Sequence, residues 1–206
     1  MSGQLAFYFD SSACSGCKAC QVACKDKHGL EVGRLWRRVI EVVGGDWMPS
    51  GEAWTSTVFA YHLSVSCNHC EQPICMEVCP TKAITKREDG IVLINEQVCV
   101  GCGYCRWACP YNAPALDPVS GKMTKCTFCA DELDQGKDPA CVSACPMRVL
   151  DYGEMGELIE KYGAVRSVFP LPDESVTEPA LVLTPHKDAR QPGSPEGVIA
   201  NKEELL

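Results

Sequence analysis

No stretch of the chain is apolar over the ~18 or more consecutive residues that a membrane-spanning helix needs. Its first ten residues, MSGQLAFYFD, contain no basic stretch, long apolar core or twin-arginine pair, so no signal peptide is expected. Basic residues are not in excess either: 19 Lys and Arg face 27 Asp and Glu, a formal net charge of −8, which argues against a nucleic-acid partner. A Gly-rich phosphate loop, a Ser/His/Asp set and a paired-carboxylate motif are all missing, so no residue is given a catalytic role. The negative charge is uneven: residues 1–150 hold 14 basic and 16 acidic residues, whereas residues 151–206 hold 5 and 11. With 46% hydrophobic and 22% charged residues, disorder throughout is excluded, and 206 residues suffice for one domain or two small ones.

What the chain has in abundance is cysteine, 16 residues in four groups of four, all within residues 1–150. Cys14, Cys17, Cys20 and Cys24 follow C-x2-C-x2-C-x3-C; Cys67, Cys70, Cys75 and Cys79 follow C-x2-C-x4-C-x3-C before Pro80. Cys99, Cys102, Cys105 and Cys109 repeat C-x2-C-x2-C-x3-C before Pro110, and Cys126, Cys129, Cys141 and Cys145 follow C-x2-C-x11-C-x3-C before Pro146. Disulfides call for an oxidising compartment and usually a short secreted chain. Structural zinc suits CxxC pairs and accounts for the fourth group, but gives no reason for three cysteines at successive x2 spacings with a fourth four residues on. Bacterial ferredoxins supply that reason: three thiolates of one loop wrap a [4Fe–4S] cube and the fourth, one helical turn on, ligates the neighbouring cube. The proline that follows lacks a donor and stops the short helix.

Crossed ligation requires groups to work in pairs. The adjacent second and third groups pair as one unit, with Cys67, Cys70, Cys75 and Cys109 around one cluster and Cys99, Cys102, Cys105 and Cys79 around another. Between them, two β-prone runs flank Asp89-Gly90, a hairpin signal. The first and fourth groups are left to pair by chain closure: Cys14, Cys17, Cys20 with Cys145, and Cys126, Cys129, Cys141 with Cys24. The expected fold class is therefore α+β, with two ferredoxin-like two-[4Fe–4S] modules, one inserted in the other. Residues 1–35 and 111–168 form the split outer module, 36–66 a β insertion, 67–110 the inner module and 169–206 a Pro-rich C-terminal arm. The apolar run Ala180-Leu181-Val182-Leu183 suits an arm that docks on a partner. Trp36, Trp47 and Trp54 are expected to pack, as is Trp107. Met155, Leu158, Ile159 and Tyr162 trace a helical stripe that Gly163 ends. Lys18, Lys25, Lys27, Lys82, Arg106, Lys125 and Arg148 sit in or beside the cysteine groups, most of them expected on the solvated surface.

The residues around the cysteines carry a resemblance. Phe9-Asp10-Ser11-Ser12 before the first group, Gly44-Gly45-Asp46-Trp47, Ser66-Cys67-Asn68-His69-Cys70, Cys109-Pro110-Tyr111, Met123-Thr124-Lys125-Cys126 and Leu150-Asp151-Tyr152-Gly153 are similar to the iron–sulfur (beta) subunits of the dimethyl sulfoxide reductase family of molybdenum enzymes. That resemblance implies a non-catalytic electron-transfer subunit of anaerobic respiration, held between a molybdopterin-containing catalytic subunit and an integral membrane anchor that exchanges electrons with quinol. It implies a peripheral, membrane-associated chain whose membrane face is undetermined. Some relatives replace one cysteine of the third group; both Cys102 and Cys105 stand here, so four [4Fe–4S] clusters are expected. Two other readings stay open on the residues alone: an electron carrier of a hydrogenase, formate dehydrogenase or carbon monoxide dehydrogenase complex, and a multi-zinc scaffold.

Overall fold

The computed structural model describes residues 3–204. Its elements are short and mixed α and β. The chain opens with β1 (Leu5–Asp10), α1 (Ala19–Lys27), β2 (Arg38–Gly44), β3 (Trp47–Ser50), β4 (Ala53–Ser56) and β5 (Phe59–Val65). Next come α2 (Ile74–Glu77), β6 (Ile84–Lys86), β7 (Val92–Ile94), α3 (Tyr104–Ala108), β8 (Ala115–Asp117) and β9 (Lys122–Thr124). The last third holds α4 (Ala130–Leu133), α5 (Ala140–Ser143), β10 (Leu150–Glu154), α6 (Met155–Tyr162), β11 (Leu181–Thr184) and β12 (Val198–Ile199).

β1 is the middle strand of a three-stranded sheet. It pairs antiparallel with β10, Leu5 opposite Glu154 and Phe9 opposite Leu150. On its other side it pairs parallel with β11, Phe7 opposite Leu181 and Asp10 opposite Thr184. Successive strand side chains point to opposite faces, so an apolar strand covered on both faces needs no polar alternation. Phe7, Phe9, Leu181 and Leu183 accordingly face the main core, which contains cysteines of the first, second and fourth groups. Ala6, Tyr8, Ala180 and Val182 face the other way, under Met155 and Leu158 of α6. Gly163, at φ +94°, caps that helix. The segment expected as an arm for a partner is thus claimed by its own chain: residues 180–183 are apolar because both faces of β11 are covered from within. Further on, β12 adds to β2, and the Asn201 amide bonds the backbone of Val39 and Glu41 at 2.8 and 2.9 Å.

A second sheet, β12-β2-β5, carries the buried Val39, Val42, Tyr61 and Leu63 into the same core. The hairpins β6–β7 and β8–β9 close over the third cysteine group, where Ile84, Val92 and Met123 pack on Cys99 and Cys105. The β3–β4 hairpin stands apart from this packing. Trp36 is buried, but Trp47 and Trp54 lie exposed on that hairpin, and Trp107 is exposed on α3, so the packing expected for these three is corrected. Strand side chains alternate, and a two-stranded hairpin with no layer against it has no interior to receive an indole.

Candidate metal centres

Each CxxC loop turns in the same way. The residue before the second cysteine is left-handed in all four: Gly16 (φ +69°), His69 (φ +42°), Gly101 (φ +72°) and Phe128 (φ +60°). That conformation folds the backbone N–H back on the preceding thiol. Gly16 donates to Cys14 Sγ at 3.5 Å, Gly101 to Cys99 Sγ at 3.4 Å and Phe128 to Cys126 Sγ at 3.4 Å. At Gly101 glycine is required for space as well as φ, since a Cβ would strike the Gly121 carbonyl; at Gly16 a Cβ would displace the His62 ring. After Cys79, Cys109 and Cys145 the Cys-Pro pair runs into a second left-handed residue, Lys82, Asn112 and Arg148 respectively, which turns the chain away.

The thiols stand around cavities. Cys67, Cys70, Cys75 and Cys109 line one. Cys14, Cys17, Cys20 and Cys145 line a second, and Cys99, Cys102, Cys105 and Cys79 a third. The packing of α1 on α5 brings Cys24 near Cys141, and Cys126 and Cys129 face the same pair; all four are buried. Among the described residues, no three His, Cys, Asp or Glu converge as they would around a single ion. The thiol-lined walls suit a bulky polynuclear group. Burial pushes the thiols of Cys24, Cys70 and Cys75 up to about 12, and those of Cys14 and Cys105 up to about 11. A cationic core is what turns such thiols into thiolates, with release of their protons.

The chain matches the family model described as "4Fe-4S dicluster domain" over residues 58–155, which spans the second, third and fourth cysteine groups. It is 47% identical over 205 residues to the B subunit of anaerobic dimethyl sulfoxide reductase of Escherichia coli (strain K12), covering 100% of both proteins. The chain belongs to this family of iron–sulfur subunits. It is also 39% identical to the B subunit of polysulfide reductase of Wolinella succinogenes, over 91% of this chain and 97% of that one. The thiosulfate reductase electron transfer subunit of Salmonella typhi is 35% identical, over 94% of this chain and 97% of the relative. As a member of this family the protein binds 4Fe–4S clusters and transfers electrons; it is a non-catalytic subunit.

The residues around the thiols fit such a group. Two buried donors without partners, Asn68 Nδ2 and His69 Nε2, belong to residues lining the Cys67 cavity, where sulfide acceptors would satisfy them. His69 Nδ1 accepts from the Val92 N–H at 3.0 Å, which leaves the ring proton on Nε2, and burial holds the imidazole neutral. His69 is thus left with its Nε2–H free to donate toward the cavity. Of the cations flagged in the sequence, Lys125 is buried, its ammonium bonded to the carbonyl oxygens of Val92 and Cys126. Lys27 reaches Asp131 and Glu132, both at 2.6 Å, and Lys18 reaches Glu204. Arg37 carries no mark of its place in the sequence: it looks like half of a surface Arg37-Arg38 pair, yet it is 2% exposed. Its neighbour Trp36 and the alternation into β2 are the faint signal that the chain runs inward there.

Proposed function

We propose that the chain carries four [4Fe–4S] clusters on its sixteen cysteines and relays electrons between a quinol-reactive membrane anchor and a molybdopterin catalytic subunit. Cys14, Cys17, Cys20 and Cys145 hold site 1; Cys67, Cys70, Cys75 and Cys109 hold site 2. Cys99, Cys102, Cys105 and Cys79 hold site 3; Cys126, Cys129, Cys141 and Cys24 hold site 4. Residues 67–110 make up the inner ferredoxin-like module, inserted in the outer one of residues 1–35 and 111–168. The observation that carries this is the composition of the three cavity walls: each takes three cysteines from one loop and its fourth from another group. When bound, a cluster of this kind takes up and gives back one electron.

The chain's own residues hold, orient and insulate. Left-handed loop residues aim N–H groups at Sγ atoms, which favours the charged form of the thiol. Phe9, Val39 and Leu150 wall site 1, and Ile84, Ile94 and Met123 wall site 3, covering the inner sulfurs while Cys17 and Cys102 stay exposed. No helix among the described residues is long and apolar enough to cross a membrane, so quinol contact is assigned to the anchor. The partners are inferred from relatives named as parts of dimethyl sulfoxide, polysulfide and thiosulfate reductases.

Anaerobic iron and sulfide analysis is expected to give about 16 of each per chain. Two metal ions, or zinc in place of iron, would overturn the assignment. Affinity capture of the full chain from its host is expected to bring down a molybdopterin protein; a hydrogenase in its place would overturn the partner.

A further inference from the structure

Arg37 is a fully charged side chain, 2% exposed, with no carboxylate partner among the described residues. A buried guanidinium without an anion is strongly unfavourable, so something in its surroundings must balance it. Its Nη1 donates to Ser64 O at 3.1 Å and to Ser64 Oγ at 3.2 Å, its Nη2 donates to Ser66 Oγ at 3.1 Å, and its Nε has no partner. The group lies over the Phe7 ring, 4.7 Å from the centroid. The groups around it that a cluster would make anionic are sulfurs: Cys20 of site 1, and Cys24, Cys126 and Cys141 of site 4, all buried in the same core as the Phe7 ring that Arg37 covers.

We propose that Arg37 is the shared counter-cation of sites 1 and 4, and that through Ser64 it also directs a hydrogen bond to the Cys20 sulfur. The proposal rests on the assignment of clusters to those cysteines. The direction of the bond follows from donor chemistry. A guanidinium only donates, so Ser64 Oγ accepts from Nη1 and keeps its one proton for another acceptor. Cys20 Sγ stands 3.2 Å from Ser64 Oγ, and as an iron-bound thiolate it has no proton to give. The proton therefore points at the sulfur. Reduction of a site adds one electron and one negative charge without a proton, and both the cation and the donated bond favour the more negative state.

The test is a potentiometric titration with dithionite of the isolated complex, followed by electron paramagnetic resonance. Signals are assigned with Cys20→Ser for site 1 and Cys126→Ser for site 4. Arg37→Gln is expected to lower the reduced-to-oxidised ratio at a fixed potential at least tenfold at sites 1 and 4, about 59 mV for one electron, with sites 2 and 3 unmoved. Arg37→Lys restores most of that ratio, and Ser64→Ala lowers it at site 1 alone. Full iron in Arg37→Gln with unchanged potentials overturns the proposal. If Arg37→Gln fails to hold iron, Ser64→Ala decides: a shifted site 1 supports the proposal and an unshifted one overturns it. A wild-type complex without iron or signal refutes the cluster assignment itself, a distinct outcome.

Discussion

Gly101 shows how little room the loops leave. It sits at φ +72°, and any Cβ there would meet the Gly121 carbonyl in the turn between β8 and β9. Neither the backbone nor the facing turn can yield cheaply, and a side chain at such φ adds strain of about 1 kcal/mol or more. Gly101→Ala is expected to empty site 3 while the chain still folds around the others, so iron falls from about 16 to about 12 per chain in anaerobic analysis. This much is legible in the sequence, because Gly16 and Gly101 occupy the same place in matching motifs. The same turn at His69 and Phe128 is not legible, since neither residue advertises a left-handed backbone. Tertiary contacts hold them there: the Phe128 ring stacks on Phe7 at 3.9 Å, and His69 packs edge-on against it at 5.2 Å. Buried Arg37 and Lys125 are hidden for a related reason. Burial of a cation depends on what lies around it in space, and sequence neighbours say little of that.

Among the elements, β11 and β12 come from the same C-terminal stretch and differ in what they cover. Leu183 is buried against the cysteine-bearing core, whereas Val198 is 58% exposed on an edge strand. Leu183→Ala is expected to cost about 2–5 kcal/mol and Val198→Ala no more than about 0.5 kcal/mol, read by anaerobic denaturant titration. Equal effects would mean that β11 is no more integral than β12. The link between α1 and α4 is electrostatic. Lys27 hydrogen-bonds Asp131 and Glu132 and holds both carboxyls below their ordinary range. Depressed carboxyls add stability above that range and lose it as pH falls through their lowered values. The thermal midpoint of wild type should therefore exceed that of Lys27→Ala at neutral pH, and the two should converge on acidification. Salt shrinks the difference, because Asp131 is exposed and Lys27 and Glu132 are half-buried, within reach of solvent. The hairpin at Asp89-Gly90 and the α6 stripe are readable from pattern alone, and both form. β1 is not: LAFYFD has no alternation, since both its faces are covered.

For the molecule as a whole, cofactor and fold are one problem. The iron-free chain would retain thiol-lined cavities and two buried cations, Arg37 and Lys125, with no carboxylate partner among the described residues. Each such cation costs several kcal/mol when nothing anionic balances it, which is comparable to the whole stability of a domain. Chelation of iron under anaerobic reduction is expected to abolish the near-ultraviolet circular dichroism and expose the chain to limited proteolysis. An iron-free protein with native dichroism would refute this. The four cysteine groups announce the cofactor class, because spacing is chemistry. How the chain closes is not announced, because β1 and β11 lie far apart in sequence and only their register joins them. That register has a consequence for biosynthesis. A newborn chain emerging from the ribosome makes β1 early but cannot seat its parallel neighbour until residues 181–184 have been translated and released, so that side of the main core stays uncovered until then.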